Sequence, residues 1–135
     1  MVFLSGIRMK KLDDEKCVVS VPFKWINKNP FKSTFWAVLG MAGEMSTAAL
    51  ILQYTYKQKP SFSTLLLKLD ADFNKKAIGV TSFICNDGKM VKEKLKEAIE
   101  TKKPVVIKAF TQGIDENSNI ICEFNFTWSV KARDY

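Results

Sequence analysis

NPFKSTFWAVLGMAGEMSTAALILQY, residues 29–54, is the stretch on which the fold turns. From Thr34 to Leu52 nearly every residue is apolar or small, and only Gly40 and Gly43 lower the helix propensity, so the run predicts one buried helix over 34–52. A surface helix carries a single apolar stripe. This one is apolar on every side, so other elements must wrap it. Its one carboxylate is Glu44. Burying such a charge costs on the order of several kcal/mol unless it is paired, hydrogen-bonded or protonated, which makes Glu44 the first candidate for function.

Outward from the helix the pattern changes to a period of two. Upstream, residues 7–12 and 16–24 read as strands around the turn Asp13-Asp14-Glu15, with Cys17, Val19, Val21 and Phe23 alternating with more polar positions, hence a hairpin. Asn29-Pro30 marks a loop, Ser33 or Thr34 is placed to cap the helix, and Pro60 closes it. Downstream, residues 62–73 form a third strand, on which Ser63, Leu65, Leu67, Leu69, Ala71 and Phe73 share one face that should pack on the helix. Residues 78–85 make a fourth strand, followed by a surface helix over 88–102 with Asp87 as its cap and a narrow stripe of Val91, Leu95, Ala98 and Ile99. Residues 104–111 and 119–132 are the last two strands and pair antiparallel.

The sum is an α+β architecture, an antiparallel sheet of about six strands wrapped around one long buried helix, plus a short surface helix. At 135 residues, 47% hydrophobic and without a low-complexity linker, residues 1–135 read as a single domain. Cys17, Cys85 and Cys122 lie far apart in apolar, strand-like runs, which suits reduced core thiols and a cytoplasmic location. They make no zinc pattern, and with no histidine in the chain neither a metal nor another cofactor is expected. The central run falls just short of the roughly 20 apolar residues of a membrane span and contains Glu44, so no span is expected. The N-terminal residues 1–11 are charged too soon for a secretory signal. The net charge of +7 favours anionic partners. Its lysines are spread along the chain with no nucleic-acid-binding signature, so a solvated surface or a phosphate-bearing small ligand fits better than nucleic acid.

Strand, strand, long buried helix and a run of antiparallel strands resembles the hotdog fold, and the central stretch is similar to that of the PaaI-type acyl-CoA thioesterases and their uncharacterised relatives. That family's pattern is Asn or His, six residues, a Gly-Gly pair, and an acid seven residues beyond the pair. Here Asn29, Trp36-Ala37 and Glu44 stand in those places, followed by Met-Ser-Thr-Ala-Ala-Leu, and Ser63 matches a serine that several members use after the helix. Lys32 occupies a further position that is commonly glycine.

The resemblance implies an acyl-CoA or related thioester as substrate, hydrolysed at a site between the subunits of a homodimer or homotetramer. Glu44 would act as nucleophile or as base on a water, with Asn29 orienting and Ser63 assisting. The amide of Trp36 would donate to the thioester carbonyl, with Ala37 and Thr47 also among the substrate-binding residues. The alternative is a non-catalytic hotdog module that binds acyl-CoA or a fatty acyl chain.

Overall fold

The alternating segments become strands β1 (Arg8–Leu12), β2 (Cys17–Val21), β3 (Ser61–Phe73), β4 (Thr81–Cys85), β5 (Val105–Ile114) and β6 (Ile120–Arg133). The two helical runs become α1 (Trp36–Thr55) and α2 (Gly88–Thr101). A computed structural model describes residues 5–24 and 27–133. In it the strands form one sheet in the order β1-β2-β4-β5-β6-β3, with every neighbouring pair antiparallel. Residues 1–4 of the segment read against a secretory signal lie outside the described residues.

Alternation decides which face of the sheet meets α1. On β5, Val105, Ile107, Ala109 and Thr111 are buried while the residues between them are not, and on β6 the same holds for Cys122, Phe124, Phe126, Trp128 and Val130. Against this face α1 lays Val38, Leu39, Ala42, Leu50 and Ile51, all buried. Burial of apolar surface of this kind is the main source of stability, roughly 25 cal/mol per Å². The closest approach is at Gly43, where a Cβ would stand 2.5 Å from Cδ2 of Phe124, so only glycine lets the helix sit this low on the Phe83–Phe124 ring stack. Two polar ties fix the helix in place. Ser46 Oγ donates to the Gly43 carbonyl and lies 2.6 Å from Thr111 Oγ1, while Trp128 Nε1 donates to Thr47 Oγ1 at 3.1 Å. Helix α2 packs beside it through buried Val91, Leu95 and Ala98.

Three expectations are corrected. The sheet covers only one side of α1: Trp36, Ala37, Glu44 and Leu52 are exposed and Met41 and Met45 partly so, which leaves an apolar stripe at helical spacing uncovered. Strand β3 does not keep one face. A bulge between Leu66 and Lys68 breaks its pairing with β6, so Phe62, Thr64 and Leu66 before it, and Leu69, Ala71 and Phe73 after it, share the side of the helix-facing residues of β6. Ser63 and Leu65 point the other way. The cap of α1 also differs: it is Phe35, without a side-chain bond, and neither Ser33 nor Thr34. Asp87 is the N-cap of α2 as expected, with its carboxylate accepting from the N–H of Phe110 at 2.7 Å.

Cys17, Cys85 and Cys122 are free and buried. Burial pushes their thiols up, to about 11 for Cys17 and about 12 for the other two, so they hold their protons at neutral pH. Among the described residues no helix is long and apolar enough to cross a membrane, and no cluster of acidic or cysteine side chains could hold a metal ion.

Candidate active site

The start of α1 is built by the loop before it. Asn29 Oδ1 accepts from the N–H groups of Phe31 and Ser33 at 2.9 and 3.1 Å, which folds the loop back on itself. Lys32 takes a left-handed conformation, φ 61°, which accounts physically for a glycine being suited to that position. Ser33 and Thr34, rather than capping the helix, clamp the loop to Ala77: the Ala77 N–H donates to Ser33 Oγ, and both the N–H and the hydroxyl of Thr34 donate to the Ala77 carbonyl. Phe35 N–H is taken by the Asn27 carbonyl, and the Phe35 carbonyl accepts from Val38 and Leu39. The N–H groups of Trp36 and Ala37 are left without an acceptor among the described residues. They are the free donors of a helix N-terminus, where partial positive charge favours an anion.

Two clefts open here and Trp36 belongs to both. One, about 280 Å³, is lined by Trp36, Ala37, Gly40, Met41, Glu44, Leu69 and Phe126. The other, about 360 Å³, includes Asn29, Trp36, Leu39, Phe73, Lys75 and Lys76. The indole is 59% exposed and lies back over Gly40, whose Cβ would be 3.2 Å from its Cζ3. It thus stands as a partition between the clefts. Glu44 is exposed and makes no ion pair or side-chain hydrogen bond among the described residues. The penalty that singled it out in the sequence is therefore absent, because its side of α1 is open. What remains is a carboxylate with free lone pairs on an otherwise apolar wall.

The structure thus groups Asn29 with Trp36, and Trp36 and Ala37 with Glu44. It leaves two expected residues apart. Thr47 is fully buried, its hydroxyl donating to the Glu44 carbonyl and accepting from Trp128, so it borders neither cleft. Ser63 lies on the opposite face of the exposed edge strand and borders neither. Lys75 and Lys76, beside Asn29, had no signal in the sequence beyond being a lysine pair after a strand. Leu69 joins the Glu44 cleft because the bulge in β3 brings it to the same side as Leu66, and Phe126 faces the cleft by the regular alternation of β6. A larger groove of about 690 Å³, between Tyr54, Phe62, Leu95 and Ile99, contains none of the expected site residues.

No protein-family model matches the sequence, and no curated protein matches it. Solved structures do. A Pseudomonas aeruginosa protein described as of unknown function and "probable thioesterase" superposes with a TM-score of 0.85 at 20% identity, over 98% of this chain and 87% of that one. The chain has the hotdog fold. A thioesterase from Haemophilus influenzae aligns with the hotdog domain at a TM-score of 0.71 and 13% identity, over 97% of this chain and 82% of that one. A thioesterase from Pseudomonas aeruginosa does so at 0.71 and 13%, over 98% and 86%. The resemblance in the order of elements is therefore a resemblance in three dimensions to proteins called thioesterases.

Proposed function

We infer that this hotdog domain hydrolyses an acyl thioester such as an acyl-CoA, with Glu44 as base or nucleophile, in a homo-oligomer whose site lies between subunits. The observation that carries the reading is the coexistence, along the first half of α1, of an unengaged carboxylate and unengaged backbone donors in adjoining clefts. Acting as base, Glu44 takes a proton from water as the oxygen attacks the carbonyl carbon. The C–S bond then breaks, and the sulfur leaves as a thiol carrying that proton. The negative charge on the carbonyl oxygen at the intermediate stage is what a free N–H at a helix start stabilises. Asn29, with Oδ1 engaged by the loop, keeps its side-chain N–H groups for orienting the substrate.

Helix geometry supports placing the site between subunits. Trp36 and Glu44 are eight residues apart on one helix, a rise of about 12 Å at 1.5 Å per residue. A carbonyl oxygen held by the Trp36 amide and a carbon attacked from the same chain's Glu44 cannot be adjacent atoms. They can be when the amide comes from a second copy. The surface left open is suited to one: the stripe on α1 and the 13-residue edge strand β3, where Leu65 and Leu67 are 62% and 53% exposed. Lys75 and Lys76 offer positive charge to an anionic carrier at the mouth of the Asn29 cleft.

The test is thiol release from a panel of short, long and aromatic acyl-CoAs, with Glu44→Gln and Leu67→Lys as variants and size measured by light scattering. Turnover lost by at least about a hundredfold in Glu44→Gln with the oligomer intact, and lost together with the oligomer in Leu67→Lys, is the expected result. An unchanged rate in Glu44→Gln ends the mechanism. Binding without hydrolysis by the wild type selects the non-catalytic module, for which the dividing indole of Trp36 is the supporting observation.

A further inference from the structure

On the face of the sheet away from α1, residues distant in sequence enclose a hollow of about 370 Å³ that carries three cations and no carboxylate: Arg8 and Lys10 from β1, and Lys24 from beyond β2. Its floor is polar. Arg8 stands opposite Ser20 and Ser20 opposite Ser82 across β1, β2 and β4, so the guanidinium and two hydroxyls form one row on one face. Ser20 and Ser82 both line the hollow, and neither hydroxyl is engaged by another group of the described residues, so both can donate into it. None of the three cations is paired with a carboxylate among them either. Lys24 Nζ lies over Gly6, 2.9 Å from where a Cβ would be, in space that is open because Gly6, at φ 77°, has none. A carboxylate at the margin, Glu116, accepts from the N–H of Val80 at 3.3 Å and does not line the hollow.

Three like charges around one concavity repel one another, and the serine hydroxyls on its floor have donors to spare. A multivalent oxyanion relieves the first and uses the second: the guanidinium presents paired N–H groups to phosphate oxygens, the ammonium groups add point charge, and the hydroxyls donate from below. We propose that this hollow is a binding site for the phosphate groups of a small molecule, with inorganic diphosphate as its minimal ligand. It lies on the far face of the sheet from Glu44 and stands independently of the thioesterase reading.

The experiment is calorimetric titration of the full chain with sodium diphosphate and with ADP. Saturable 1:1 binding is expected, weakened at least about tenfold in the double variant Arg8→Ala, Lys24→Ala and likewise in Ser82→Asp. The double variant Lys89→Ala, Lys92→Ala on α2 removes the same charge elsewhere and is expected to leave affinity within about twofold. Tighter binding of ADP than of diphosphate assigns a nucleotide, and equal binding assigns the phosphates alone. Absence of saturable heat from both, or equal weakening by the two double variants, overturns the proposal. Circular dichroism of each variant separates lost binding from lost fold.

Discussion

Ser46 and Thr111 place their hydroxyls 2.6 Å apart, both fully buried, across the boundary between α1 and the sheet. Ser46 also donates to Gly43, so the shared proton comes from Thr111 and each hydroxyl is satisfied. Ser46→Ala strands the Thr111 donor and is expected to lower stability by about 1–3 kcal/mol. The double variant Ser46→Ala, Thr111→Val leaves no stranded group, so it should be less destabilising than the single losses summed. Urea unfolding of the three variants measures this.

Two glycines one turn apart on α1 should respond oppositely to alanine. Gly43→Ala puts a methyl 2.5 Å from the buried Phe124 ring, and overpacking of this kind costs about 1–3 kcal/mol. Gly40→Ala meets only the exposed Trp36 ring at 3.2 Å, which can move aside, so the helix-propensity gain of up to about 1 kcal/mol survives. Thermal unfolding of the pair should separate them in sign.

Trp36→Ala removes the partition between the clefts of about 280 and 360 Å³. Because the indole is largely exposed, stability should hold within about 0.5 kcal/mol. If the clefts serve one acyl thioester, the ratio of kcat/KM for long over short acyl groups should rise about tenfold, read from steady-state rates on matched substrates.

Much of this was written in the chain. The presence and order of the six described strands and two helices follow from hydrophobic period, because a period of two or of 3.6 is a local property of consecutive side chains. Their ends do not: β2 stops at Val21 where 24 is expected, β4 starts at Thr81 where 78 is expected, β5 runs on to Ile114 and α1 to Thr55. What was hidden depended on contacts between segments. The run Leu65-Leu66-Leu67-Lys68-Leu69 gives no sign of which residue bulges, so the face of Ser63 was misread. Glu44 looked buried because its helical neighbours are apolar, yet exposure is set by how far the sheet extends over α1. Thr47 sat within a familiar motif, but the core-facing side of the helix claims it through Trp128. Arg8, Lys10 and Lys24 were scattered lysines and an arginine until the hairpin brought them round one hollow.

The thiols give a pH-dependent signature. Cys17, Cys85 and Cys122 have folded-state values of about 11, 12 and 12 against an ordinary 9.0. The unfolded chain releases these protons first, so their contribution to stability is complete below about pH 9 and is lost as pH rises toward the folded values. The urea midpoint should therefore fall above about pH 9, with a shallower slope in Cys122→Ala. At neutral pH a disulfide reagent should find no reactive thiol until denaturant is added.

The bulge at Leu67 gives β3 one place where its length can change without cost to its faces. Leu66 and Lys68 stand opposite the consecutive residues Trp128 and Thr127, so removing Leu67 would make the alternation regular and leave Leu69, Ala71 and Phe73 opposite their present partners. Removing Asp70 instead, where the pairing is already regular, would turn the residues beyond it to the other face and send Ala71 and Phe73 to solvent. Spacing along β3 is accordingly free at the bulge and fixed beyond it.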